Sequence, residues 1–297
     1  MPWFEFICLA NSYKKRGRCI AGLRTDGGGW IRPCADTNFG ELYPHHYNLQ
    51  DGSEPSMLDV IRVFCESRQT TPHQPENWLI GRVGWRLVHR PAPASLIGLV
   101  RESLCRGSGL LGDANRRIAY EQLVERPAAS SLALIAPRDL QWHVGSTPTN
   151  PRKARAQFRL AGAVYSLPVT DPAWMDAFRA LEIGTHPVTA CGIEPGRKLL
   201  LTISLSEPFD DGNCYKLVTA IIPEPLAPAE ILAGLANGID PFTGQRLSGA
   251  YARPETVQAL RLAADALSAA HQHNRKPLER AEESASPPQS KVWKNRL

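Results

Sequence analysis

Residues 18–34, RCIAGLRTDGGGWIRPC, set two short apolar runs on either side of a glycine-rich turn. This is the pattern of a β-hairpin. A turn over residues 25–29 places Arg24 opposite Trp30, Gly22 opposite Arg32 and Ile20 opposite Cys34. Side chains alternate across a strand, so Cys19, Ala21, Leu23, Ile31 and Pro33 then form one wholly apolar face, the natural core side. A register slipped by one residue would mix the two faces, and the hydrophobic pattern selects against it. The opposite face gathers Arg24, Trp30 and Arg32 around the bare Gly22. An arginine stacked on a tryptophan is favourable, and a glycine inside a strand marks a close approach by something else. Two uses fit that face. It is either a binding surface, approached through the basic loop of Lys14, Lys15, Arg16 and Arg18, or a surface packed against a second domain. On the first reading, Trp30→Ala weakens ligand binding and leaves stability nearly unchanged.

The same texture of short strands and turns continues. FEFICLA, RCIAGL, GWIRPC and SMLDVIRVFCES read as strands of a first group, with SLIGLVRESLCR as a helix capped by Ser95. HQPENWLI is a proline-broken loop running into an apolar anchor. LALIAPRDLQWHV, ARAQFRLAGAVYSLPVT, KLLLTISLS and NCYKLVTAII form a second group, with a hairpin turn at Ala161-Gly162. Strand and helix do not alternate at βαβ spacing, which argues against a Rossmann-type domain. After residue 224 the pattern changes. Ile231, Leu232 and Leu235, then Val257, Leu260, Ala264 and Leu267, repeat at helical spacing, and from residue 275 onward the sequence has the composition of a disordered tail. The expected fold class is mainly β, two small tandem barrels plus a small C-terminal α-helical hairpin. The expected domains are residues 1–127, 128–224, 225–274 and the tail, 275–297.

The chain has 297 residues, 43% of them hydrophobic and 21% charged, as in globular proteins. It carries no apolar run of about 18 residues and no signal-peptide pattern at its start, so a cytoplasmic, non-membrane protein is expected. Seven cysteines are scattered without a CxxC pair and read as reduced core residues. The net charge of +5 is weak evidence for an anionic partner by itself, but its distribution is uneven. Lys14, Lys15, Arg16, Arg18, Arg24 and Arg32 face a single acid, Asp26, and Arg152, Lys153, Arg155 and Arg159 in NPRKARAQFR face none. His45, His46 and His73 fit no zinc spacing and read as surface-loop histidines. Asp51, Glu54 and Asp59 make a poor nuclease set. TDGGG and GSGLLGD lack the Lys-Ser/Thr of a phosphate loop. No cofactor, metal or catalytic residue is expected.

CLANSYKKRGRCIAG, GWIRPC, DGSEPSMLDVIRV, HQPENWLI, NPRKARAQFRLAGAVYSLPVTDP and LTISLSEPF…CYKLVTAII together resemble the dual OB-containing domain family of bacteria, over roughly residues 4–224. The resemblance implies two tandem OB-like barrels and nucleic-acid or nucleotide recognition in genome-defence settings. OB folds bind oligonucleotides on strands 2 and 3, which here is the opening hairpin. The segment around GIDPFTG separately resembles a helical module appended to DNA-helicase-like proteins. The expectation is therefore a non-catalytic nucleic-acid-binding protein for single-stranded or irregular DNA or RNA. Its binding residues would be Arg16, Arg18, Arg24, Trp30, Arg32, Arg152, Lys153 and Arg155. The alternatives are an adaptor recruiting a helicase or nuclease through residues 228–271, and a nucleotide-sensing or nucleotide-modifying protein.

Overall fold

The computed structural model describes residues 2–267 apart from 92, 108, 148–149, 227, 240–245 and 247–253. Strands β1 (Trp3–Lys14), β2 (Gly17–Arg24), β3 (Trp30–Cys34), β4 (Val60–Arg68) and β5 (Asn77–Ile80) run in the spatial order β1-β2-β3-β5-β4, and β4 pairs back onto β1. Every pairing is antiparallel except β3 with β5, which is parallel. That circuit is a closed five-stranded barrel of OB topology. Helix α1 (Pro44–Tyr47) lies between β3 and β4, and β6 (Arg86–His89) adds to β4 outside the ring. Phe6, Ile20, Ile31, Ile61, Val63 and Trp85 fill the interior.

The second group of strands repeats the circuit with its first strand broken. Helix α2 (Pro93–Glu102), β7 (Arg117–Ala119) and α3 (Tyr120–Glu125) lead to β8 (Leu132–Ile135) and β9 (Arg138–Thr147), which are separated by Ala136-Pro137. Then follow β10 (Asn150–Leu160), β11 (Ala163–Pro168), α4 (Met175–Ala180), β12 (Gly184–Pro187), β13 (Leu199–Pro208) and β14 (Asn213–Pro223). One sheet runs β11-β10-β9-β12 and the other β7-β14-β13-β8. A parallel bridge between Val169 and Val218 joins the end of β11 to β14. The path is again 1-2-3-5-4-1, with β8 and β9 sharing the role of strand 1. Trp142, Phe158, Tyr165, Leu201 and Val218 belong to its core. The turn predicted at Ala161-Gly162 is present: both residues take positive φ, 47° and 85°, and Leu160 pairs with Ala163.

Helix α2 begins at Pro93, so Ser95 lies inside its first turn and is not the cap expected from the sequence. Residues through Pro225 form one compact unit and those from Leu226 onward another. The second contains α5 (Pro228–Ala236) and a helix over 254–267. Most of the connection between these helices, and the tail predicted over 275–297, lie outside the described residues.

The opening hairpin departs from its predicted register. Leu23 pairs with Trp30 and Gly22 with Ile31, one residue away from the expected pairing. The turn is shorter: the Arg24 amide donates to the Gly29 carbonyl at 2.9 Å, and Asp26 accepts from the Gly28 amide at 3.0 Å. A one-residue shift of one strand against the other turns that strand's side chains over; here β2 is reversed, while β3 keeps Ile31 inward and Trp30 and Arg32 outward as predicted. Ile20, Gly22 and Ile31 therefore face the first barrel's interior. Ala21, Leu23, Trp30 and Arg32 face outward, onto Leu132, Leu134 and Leu200 of the second barrel. Both faces of this hairpin are buried, so an apolar face could not decide the register.

Candidate nucleic-acid interface

The predicted site residues divide into three groups. Trp30 and Arg32 are part of the joint between the barrels. Trp30 is half-buried against Leu9, Ala21 and Leu132. Arg32 is 1% exposed, and its guanidinium donates to the Ser131 Oγ at 2.8 Å and the Ser204 Oγ at 3.0 Å. Ser131 in turn donates to Glu76 at 2.7 Å. The packing alternative is thus what the structure shows for these two residues, and the solvent-facing arrangement is not. Gly22 has its own explanation: a Cβ there would lie 1.9 Å from the Ile7 carbonyl oxygen. The body that approaches this glycine is strand β1.

In the second group Arg24, Arg18 and Lys14 are each paired with a carboxylate, and Arg16 is not among the ion pairs of the described residues. Arg24 sits on the other face from Trp30, stacked over Phe4 at 4.5 Å and forked onto Asp26 at 2.9 and 2.5 Å. Arg18 stacks on Tyr13 at 4.6 Å and bonds Glu54 at 3.2 Å. Lys14 bonds Glu207 at 2.7 Å. Arg16 remains exposed on the β1–β2 turn, close enough to lower the Tyr43 phenol's shift, although the hydrogen bond to Glu41 dominates and raises it. The Arg–Trp–Arg grouping expected of the hairpin occurs elsewhere, on three strands that no local pattern connects. There Trp3 has Arg62 at 5.1 Å and Arg86 at 5.7 Å over its ring.

The third group lies on the second barrel. Along β10, Ala154, Ala156 and Phe158 point into the core, so Lys153, Arg155, Gln157 and Arg159 share the outer face. Cross-strand neighbours are His143 and Gln141 on β9 and Ser166 and Val164 on β11. Arg155 is fixed: its Nε donates to the Ser166 Oγ at 3.0 Å, and a terminal nitrogen donates to the Ser166 carbonyl. Arg152 turns away, donating to the Leu181 carbonyl at the end of α4. Arg159 lies 3.6 Å from Asp139. Among the described residues no carboxylate is in ion-pair range of Lys153 or Arg155.

Residues 110–119 border this face; of these the sequence singled out only the end of GSGLLGD, as a glycine-rich turn, and none of 114–119. Leu110 donates its amide to the Tyr165 hydroxyl at 3.3 Å, and β7 pairs with β14. Arg116 comes close to Arg155. Burial first, and then that second positive charge, push the Arg155 guanidinium down from its ordinary value. Beyond lies the β13–β14 loop, where Phe209 is 54% exposed and meets Tyr215 edge-on at 5.2 Å. Arg117 donates to the Tyr215 hydroxyl at 3.4 Å. The sequence did carry a trace of this edge, the adjacent arginines of GDANRRIAY, but nothing local tied them to β10.

Other sequence candidates resolve structurally. The His45 and His46 rings lie 3.9 Å apart at a tilt of 53°, while His73 is not a surface residue: it is 4% exposed and 2.5 Å from Glu207. Asp59 is buried, bonded to Arg90 at 2.9 Å and to the Ser56 amide at 2.9 Å. All seven cysteines are free, four of them buried. No helix among the described residues is long and apolar enough to cross a membrane.

Two barrels with this strand circuit, joined through one shared face, define a tandem OB-type protein. The chain belongs to the dual OB-containing domain family, which matches it over residues 4–221. No curated relative matches the chain.

Proposed function

We propose that this protein binds single-stranded or irregular nucleic acid, without chemistry of its own, on the outer face of β9, β10 and β11. The observation that supports the reading is a contrast between the two barrels. OB folds take oligonucleotides on the face of strands 2 and 3, with loops closing over them. In the first barrel that face is consumed: Ala21, Leu23, Trp30 and Arg32 are packed against the second barrel. In the second barrel the equivalent strands are β10 and β11. Their outer face carries Lys153 and Arg155 without carboxylate partners among the described residues. The loop corresponding to the one that closes over ligands holds the exposed Phe209. Cations neutralise phosphates and the ring stacks a base.

Titration of the full chain with single-stranded DNA, duplex DNA and RNA at two salt concentrations tests this. Binding should weaken steeply with salt, and Lys153→Ala should lower the slope of log K against log salt by roughly 0.7 for a single strand. Binding that is absent, or a slope that Lys153→Ala leaves unchanged, would contradict the assignment.

A further inference from the structure

Two clefts flank Arg116. One, of about 380 Å³, is bordered by Arg155, Val164 and Ser166; the other, of about 430 Å³, is bordered by Arg117, Gln122 and Asn213. Asn115 and Arg116 line both, so a single guanidinium stands at the divide. We propose that Arg116 and Arg155 together grip one backbone phosphate of a single strand, and that the two clefts seat the nucleosides on either side of it. The inference rests on the nucleic-acid reading above and narrows it to a dinucleotide step.

Three observations carry it. First, the divide is rigid. Lys216, itself buried, donates through its Nζ to the Asp113 carbonyl at 2.6 Å and through its amide to the Arg116 carbonyl at 3.0 Å. Asp113 accepts from the Asn115 amide at 2.5 Å, and β7 continues directly into its ladder with β14. The segment that presents Arg116 is thus held from both sides, and the ordering cost of binding is reduced in advance. Second, two guanidiniums face one site with no carboxylate among the described residues in ion-pair range of either. Such a pair repels until an anion sits between them, and guanidinium geometry suits phosphate oxygens. Third, the walls differ in chemistry. Val164 gives the first cleft an apolar side, whereas the second is lined by the amides of Gln122 and Asn213, which both donate and accept along a base edge, and by Asp113, whose carboxylate lies 3.8 Å from the Lys216 ammonium. Each cleft falls in the size range of small-ligand sites.

The test uses the full chain, a fluorescent dT12 strand, the dinucleotide pTpT and inorganic phosphate. Arg116 is exposed, so Arg116→Ala should keep the wild-type melting temperature. Gln122→Ala serves as a second variant that leaves the charges untouched. The expected result is saturable pTpT binding that competes with dT12. Arg116→Ala should abolish it and weaken dT12 at least tenfold, Gln122→Ala should weaken pTpT, and Lys153→Ala should preserve pTpT while weakening dT12. Equal pTpT binding by wild type and Arg116→Ala would overturn the proposal. So would inorganic phosphate competing as well as pTpT. In both cases salt-dependent dT12 binding sensitive to Lys153→Ala would leave the broader reading standing. Absence of any binding to dT12 would overturn both.

Discussion

Arg32 shows how a residue's type can mislead about its role. It is a buried cation whose bonds go to two serine hydroxyls, while its Nε and second terminal nitrogen have no hydrogen-bond partner. Replacing a whole buried ionic network with apolar side chains is often neutral or stabilising, but removing only its cation leaves the remaining polar groups buried and costs stability. Arg32→Met should therefore lower the urea midpoint, because Glu76 and the Ser131 and Ser204 hydroxyls stay buried without the cation, and leave oligonucleotide affinity alone. A loss of affinity in that variant would place Arg32 in the site after all. Glu207 offers a second test at this scale. Burial pushes its carboxyl up, but the hydrogen bond with His73 and the Lys14 charge more than offset that and hold it at about 2. A carboxyl held below its ordinary value stabilises the fold above about pH 4.5, and that stabilisation is lost as pH falls toward 2. Glu207→Gln should flatten this acid limb of the stability curve, measured by urea unfolding at several pH values. A limb equally steep in the variant would show that other carboxylates dominate.

At the scale of elements, the two hairpins make an instructive pair. The β10–β11 hairpin was legible in full, because it alternates a buried face (Ala154, Ala156, Phe158) with a solvated one (Lys153, Arg155, Arg159) and turns at a two-residue loop. The β2–β3 hairpin has no solvated face to alternate with. Its register depended on whether the turn holds four residues or five, and the glycines of TDGGG allow either. Its outer face is now accounted for by packing, so Trp30→Ala should cost about 3 kcal/mol of stability, at the lower end for deleting a packed aromatic. Thermal or urea unfolding measures that directly. A cost under about 0.5 kcal/mol, the range of ordinary surface substitutions, would restore the exposed reading of the hairpin. The first strand of the second barrel was legible only as a single run. Its break at Ala136-Pro137, which lets β8 serve one sheet and β9 the other, follows from proline's missing donor.

For the whole molecule, strand content and grouping were enough to give two barrels, because turn residues recur at regular spacing. The basic clusters could not be ranked from sequence. Local charge counts favoured the residue 14–32 cluster, yet the structure supplies Asp26, Glu54 and Glu207 as partners for Arg24, Arg18 and Lys14. Those carboxylates lie between 2 and 193 positions away, and the distant ones could not be read from sequence spacing. The β10 cluster kept its open cations, and Arg116 joined it through tertiary packing alone. Joining the barrels face to face thus spends one OB surface on architecture, and the proposed function assigns the ligand to the other. The direct test is to measure dT12 affinity and melting temperature side by side for Arg155→Ala and Trp30→Ala. Arg155→Ala should weaken binding severalfold or more with the melting temperature nearly unchanged, while Trp30→Ala lowers the melting temperature and, below it, binds as wild type. The reverse pattern, with binding lost in Trp30→Ala and intact in Arg155→Ala, would contradict the assignment of the ligand to the second barrel.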